Sequence, residues 1–120
     1  MSISAPDPVA AALNSALDGL ALRQRVAADN VANMDTPNFQ ASKVDFEDSL
    51  RVALNDGELE AGTAPAATVT PTFGPPSANG NNVDLGTEQM TAMQATFRYQ
   101  LLSRAVGDRY NLITTAIGGM

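Results

Sequence analysis

Cysteine, histidine and tryptophan are absent from this chain of 120 residues. Without cysteine the chain can form neither disulfides nor thiolate nucleophiles, and its cellular compartment stays open. Without histidine it also lacks the commonest general base, so no catalytic residues are predicted. Aromatic residues make up only 5% of the chain, which leaves few large side chains to anchor a core. We therefore expect the isolated chain to be weakly stable.

Basic patches and long apolar runs are also missing. The net charge is −6, and residues 44–84 account for it with seven acids against one base. Residues 1–43 and 85–120 are nearly neutral, at −1 and +1. With no basic patch to neutralise phosphates, nucleic-acid binding is not expected. No run approaches the roughly 20 apolar residues that span a bilayer. No basic stretch followed by an apolar one opens the chain, so no cleavable signal peptide is predicted.

Helical periodicity is concentrated at the two ends of the chain. Apolar residues recur every three or four positions from Val9 to Met34 and again from Leu85 to Ile117. Asp7 before Pro8 is a favourable helix start, and Asp84 can cap the last helix. We predict a mainly α fold in a single domain, 1–120. Its N- and C-terminal helices, about 8–34 and 85–117, form an antiparallel, coiled-coil-like pair.

The middle of the chain is mostly turn-forming sequence. A short helix over about 45–55 is predicted from its apolar spacing, with Asp45 as its cap and Gly57 in its stop signal. Residues 56–84 are acidic and rich in proline and glycine, which predicts a long irregular segment. Residues 68–70 can add a brief strand to it.

Each terminal helix carries two apolar stripes, and two stripes require two packing partners. We assign one stripe of each helix to the pair within the chain. The other stripe of the last helix then has no partner left in the chain, and we expect it to contact another subunit. The intrachain set is Leu13, Leu17, Leu20, Val31, Met93, Phe97 and Leu101, and the subunit set is Leu102, Val106, Ile113 and Ile117. Gly19 either allows a close approach by a neighbouring backbone or is simply tolerated.

The densest group of carboxylates is Asp45, Glu47 and Asp48. At a helix start these side chains interact favourably with the helix dipole. No further ligand lies at a suitable spacing, so this interpretation is favoured over metal binding or acid–base chemistry. We predict no metal site and no cofactor.

Asn30 and Asn33 lie on one face near the end of the first helix, and Thr36-Pro37 fixes the direction in which the chain leaves it. Two interpretations stay open. The segment is either a helix stop with good turn chemistry or a joint that holds the helix against the extended segment and an adjacent subunit.

This stretch resembles the Ala-Asn-Asn-Ile-Ala-Asn…Thr-Pro-Gly-Phe/Tyr signature of bacterial flagellar rod and hook proteins. The matching positions are Asn30, Ala32, Asn33, Thr36, Pro37 and Phe39. Residues 17–26, 80–85, 97–100 and 110–117 also resemble segments of proximal rod proteins. Asp29 and Asn38 depart from the signature, which often has Asn and Gly there. A positive backbone angle at position 38 would still be tolerated by asparagine.

The resemblance implies a structural subunit of the flagellar rod, which passes unfolded through the type III export apparatus. It would assemble in the periplasm with copies of itself, rod proteins of the FlgC type, the basal adaptor FliE and the MS-ring protein. Folding would then be coupled to assembly, since the helices meet their second partners only in the polymer. The alternative is a free helical-hairpin adaptor, which would be a stable helical monomer at any dilution. An enzyme has no candidate residues.

Overall fold

The computed structural model describes residues 7–61 and 64–118 and is mainly helical. Two long helices frame a short helix, a turn of 3₁₀ helix (Glu58–Ala61) and a two-stranded sheet. In chain order the named elements are α1 (Pro8–Ala32), β1 (Ser42–Asp45), α2 (Glu47–Asn55), β2 (Thr68–Pro71) and α3 (Leu85–Gly118).

The two long helices begin at the aspartates that the sequence indicated. Asp7 Oδ1 accepts a hydrogen bond from the Val9 N–H at 3.0 Å, and Pro8 occupies the first turn. Asp84 Oδ1 likewise accepts from the Thr87 N–H at 3.1 Å. Each carboxylate satisfies a backbone donor that the first helical turn leaves free. Both predicted caps are confirmed.

α1 and α3 run antiparallel along one another. Near the middle of α1, Gln24 Nε2 donates to Thr96 Oγ1 at 2.8 Å. At the start of α1, Arg109 forms an ion pair with Asp7. Gln24 is thus hydrogen-bonded across the contact between the two helices. Because α1 begins beside Arg109, residues 110–118 of α3 extend past its first turn, and the molecule is 66 Å long but only 28 by 17 Å across.

The middle segment is more ordered than its composition indicates. β1 and β2 pair antiparallel, with Val44 opposite Val69 and Asp45 opposite Thr68. The strand over 68–70 is confirmed, whereas β1 was expected only as extended chain. The predicted Asp45 cap is wrong, because that residue belongs to the sheet and the side chain before α2 is Phe46, which makes no capping hydrogen bond.

The core is small and lies where α1, the sheet, α2 and the first half of α3 meet. Its buried apolar members are Leu20, Val44, Phe46, Leu50, Ala53, Leu59 and Ala95. Gly19 lies under the Phe46 ring, so close that an added Cβ would be 2.5 Å from Phe46 Cδ1. The close approach at Gly19 is therefore made by a side chain of the same chain.

Candidate assembly surfaces and the asparagine joint

Asn30 ties the end of α1 to β1. Its Nδ2 donates to the Ser42 carbonyl at 2.8 Å, and its Oδ1 accepts from the Ser42 N–H at 3.1 Å. The side chain is 1% exposed, so both bonds are shielded from water. In this geometry the amide pairs with Ser42 as a neighbouring strand would.

Asn33 ends α1 and shapes the turn that follows. Its Nδ2 donates to the Asp29 carbonyl at 2.8 Å, and its Oδ1 accepts from the Thr36 hydroxyl at 3.1 Å. Asn38 then has φ +61°, the left-handed conformation that asparagine tolerates better than most residues. Of the other signature positions, Phe39 is half-buried, whereas Ala32, Thr36 and Pro37 are exposed.

A second pair of asparagines, Asn81 and Asn82, closes the joint from the other side. Asn81 Nδ2 donates to the carbonyls of Asn33 at 2.8 Å and Thr36 at 2.7 Å. Asn82 Oδ1 accepts from the Ala41 N–H at 2.6 Å. The loop before α3 is thereby bonded to the loop after α1. The signature residues and Asn81-Asn82 form one unit, which we call the asparagine joint. Contact of this unit with an adjacent subunit stays a prediction.

The partners of Asn81 and Asn82 were missed from the sequence. The run 79–82 lies in the segment that the sequence predicts to be irregular. The partners in the loop after α1 lie more than 40 residues away in the chain, and no local pattern indicates contacts over such a separation.

The most apolar stripe of α3 faces solvent. It is the stripe that we had assigned to packing within the chain through Met93, Phe97 and Leu101, and that assignment is wrong: these side chains are 66%, 62% and 50% exposed. We call this stripe the outer face of α3. Its members are Met90, Met93, Phe97, Leu101 and Leu112.

Small residues explain why the outer face is turned away from α1. Near its start α3 presents Thr91, Ala92 and Ala95 as buried or half-buried residues, and short side chains let two helices approach closely. Leu102 packs against the core cluster from the same side of α3, and Val106 is half-buried. Leu102 is thus partly used within the chain, contrary to its assignment to a subunit contact.

The remaining predicted residues lie in the core, at half-buried positions of α1 or outside the described part of the structure. From α1, Leu20 is in the core, while Leu13, Leu17 and Val31 are half-buried. The side chains of Ile113 and Ile117 lie outside the described part of the structure.

An ion pair holds α2 against α1. Arg23 donates two parallel hydrogen bonds to Glu47, at 2.7 and 2.8 Å, and a third to the Val44 carbonyl at 2.6 Å. Its guanidinium also lies 4.9 Å from the centroid of the Phe46 ring. The bonds from Arg23 lower the pKa of the Glu47 carboxyl from 4.5 to about 2.

This pair makes folding sensitive to acid. Because the folded-state pKa of Glu47 is depressed, its contribution is complete above pH 4.5 and is lost as the pH falls towards about 2. The Glu47 side chain is half exposed, so solvent limits the contribution to about 1 kcal/mol. Glu47→Gln should therefore lower the free energy of unfolding by about that much at pH 7, and by much less at pH 2.

Sucrose favours the folded state of a weakly stable chain. Circular dichroism across a sucrose series, recorded for both proteins at each pH, measures the difference in the free energy of unfolding. Asp48→Asn is the matched control, because the Asp48–Arg51 pair on the same helix is highly exposed. If the free energies of unfolding of wild type and Glu47→Gln differed by the same amount at pH 7 and at pH 2, the ion pair would contribute nothing to stability.

The described residues include neither a candidate metal-binding cluster nor a candidate membrane-spanning helix. Within 7–61 and 64–118, no group of three or more carboxylates could hold a metal ion. Over the same residues, no helix has both the length and the apolar character that a bilayer crossing requires.

Comparison with known proteins decides the family. The family described as "Flagella basal body rod protein" matches residues 12–40, which include all six signature residues of the asparagine joint. The flagellar basal body rod protein FlgB of Borreliella burgdorferi is 32% identical over 120 residues, covering 84% of this chain and 89% of that protein. The chain belongs to the FlgB family of flagellar basal body rod proteins.

Further FlgB proteins cover similar lengths. FlgB of Bacillus subtilis is 28% identical over 120 residues, spanning 89% of this chain and 91% of that protein. FlgB of Yersinia enterocolitica is 33% identical over 104 residues, spanning 71% and 75%. The FlgB family is structural and not enzymatic. The chain is therefore a structural subunit of the flagellar basal body rod, where it assembles with other rod components, and no observation favours a free adaptor.

Proposed function

We propose that this subunit polymerises through its terminal helices and forms the proximal part of the drive shaft that crosses the periplasm. The outer face of α3 is the observation that carries the proposal. An apolar stripe along one side of a long helix, opposite the side that packs on α1, is typical of a surface that another protein covers. Covering one large apolar side chain contributes about 1.5–3 kcal/mol.

The size of the core supports coupling between folding and assembly. Much of the length of α3 has apolar side chains that the chain itself does not bury. Ordering such a helix costs conformational entropy, which contacts with neighbouring subunits would offset. We infer that the subunit is weakly ordered alone and becomes fully ordered in the rod.

The proposed neighbours are copies of this chain, rod proteins of the FlgC type, the basal adaptor FliE and the MS-ring protein. We also propose that the chain reaches the rod through the flagellar export apparatus. Two features suit passage as an unfolded chain: there are no disulfides to break, and the core is small. The contact of Ile113 and Ile117 with a neighbour stays part of this proposal.

A double substitution on the outer face tests the proposal. Met93→Ser with Phe97→Ser removes two exposed side chains that the fold of the chain does not need. We expect the variant to be exported normally but to give at least about tenfold fewer assembled rods, because the lost burial exceeds 1.4 kcal/mol per contact. Electron microscopy of isolated basal bodies and swimming assays give the readout.

Val69→Ser is the matched control, since Val69 is a similarly exposed apolar residue on β2, away from the outer face. It should leave rod number and swimming unchanged. Normal basal bodies in the double variant would contradict the assignment of the outer face to subunit contacts.

A further inference from the structure

A cleft of about 320 Å³ lies between α1, the sheet and the first half of α3. Its lining includes Glu88, Thr91 and Gln94 from α3 and Ser42 and Lys43 from β1. Glu88 is only 6% exposed, which is rare for a carboxylate.

Glu88 has no partner among the described residues. No described residue donates a hydrogen bond to its carboxylate, and no lysine or arginine nitrogen lies within 4.0 Å of it. All the lysines and arginines of the chain fall within the described ranges. The Glu88 carboxylate lines the cleft and keeps contact with solvent there. If another molecule fills the cleft, burial of this carboxylate is unfavourable unless that molecule brings a cation or several donors.

The bases that line the cleft are already engaged. Arg23 and Arg98 both lie on Glu47, at 2.7 and 3.7 Å, and Lys43 lies 3.9 Å from Asp45. A base that pairs with Glu88 would therefore come from another molecule.

Among the described residues, Arg104 lacks an acidic partner, just as Glu88 lacks a basic one. It is exposed beside Phe97 and Leu101 on the outer face, and no described carboxylate lies within 4.0 Å of it. If the outer face is covered in the rod, the Arg104 guanidinium is buried with it and needs an acid there. Arg25 also has no acid partner in the described part of the chain, but it lies on α1, away from the outer face.

Glu88 and Arg104 of one molecule cannot meet. They are separated by about 24 Å along α3 and by about 160° around it, so they lie on opposite faces of the helix. A contact that joins one face of a subunit to the opposite face of the next is heterologous, and it generates an open helical array unless the rotation between copies closes a ring. A rod is such an array.

We propose that Arg104 of one subunit enters this cleft in a second copy of the chain and pairs with Glu88. The inference rests on the proposed role of the outer face as a subunit contact. It adds that the outer face of one copy contacts the cleft of the next. The ion pair sets the register between successive copies, because a subunit placed one helical turn away would leave both charges buried without partners.

Charge reversal and charge exchange test the pair in a strain that lacks the wild-type chain. Glu88→Arg and Arg104→Glu should each reduce assembled rods at least about tenfold, since like charges would then face each other. The doubly exchanged variant, Glu88→Arg with Arg104→Glu, should restore rods and swimming. Arg25→Glu is the control for altered charge and should assemble normally.

Rods of normal number with Arg104→Glu would overturn the proposal, and this variant carries the test even if Glu88→Arg fails to fold, because Arg104 is exposed. Two defective single variants without rescue in the exchanged variant would also overturn pairing between copies. In either case a defect of the Met93→Ser, Phe97→Ser variant would still support the outer face as a subunit contact. The failure of this inference is thus distinguishable from the failure of the proposed function.

Discussion

Replacing Asn30 with alanine is expected to lower the free energy of unfolding by about 2–4 kcal/mol. The substitution leaves the N–H and the C=O of Ser42 without their partner in a part-buried site. Each unsatisfied group costs about 1–3 kcal/mol. Because the core is small, a loss of this size should abolish folding of the isolated chain even in sucrose and prevent rod assembly.

Asn14→Ala is the matched control for this effect. Asn14 lies on α1 as well, but its side chain is exposed and makes no hydrogen bond with the described residues. Alanine there should be neutral or slightly stabilising, because it is the better helix former. Circular dichroism across a sucrose series compares the two variants. If Asn30→Ala and Asn14→Ala gave similar folding curves in the sucrose series, the asparagine joint would not hold α1 to the sheet.

Gly19→Ala is expected to have the second large effect on stability. It should lower the free energy of unfolding, although helix propensity alone would predict an increase. Alanine in mid-helix is favoured over glycine by about 1 kcal/mol. At position 19, however, the new Cβ would lie 2.5 Å from Cδ1 and 2.6 Å from Cγ of Phe46, so the ring must leave its position. Displacing a buried ring costs about 1.5–3 kcal/mol and also disturbs Arg23, which lies over it. We expect a net loss of about 1–2 kcal/mol.

Two further variants make this expectation specific. Gly107→Ala introduces the same change in α3, where no atom lies within 4 Å of the added Cβ, so it should stabilise the chain by about 1 kcal/mol. Phe46→Leu combined with Gly19→Ala should recover part of the loss, because leucine is smaller. If Gly19→Ala stabilised the chain as much as Gly107→Ala, the close contact with Phe46 would be refuted.

Local chemistry explains which parts of the fold could be predicted from the sequence. The starts of α1 and α3 and the end of α2 depend on residues within one or two turns. Asp7, Asp84 and Gly57 each act on their own helix and were predicted correctly. β1 and the partners of Asn82 depend on contacts far apart in the chain, and nothing local distinguishes such a strand from extended loop.

The prediction of which apolar stripe of α3 packs within the chain was wrong for a different reason. Periodicity shows that two apolar stripes exist, and it gives more weight to large residues such as Met93 and Phe97. Helix pairs can instead pack through small residues, here Thr91 and Ala95, which leaves the larger stripe for other partners. The signature residues were identified through their family pattern, whereas their bonding to Asn81 became clear only in three dimensions.

Cysteine labelling at position 97 tests most directly whether the outer face is covered in the rod. The chain has no cysteine of its own, so a maleimide reports one introduced site. Phe97→Cys should react readily in the isolated chain and become protected in purified basal bodies, while Val69→Cys reacts readily in both. Equal labelling of Phe97→Cys in the isolated chain and in assembled rods would contradict the account.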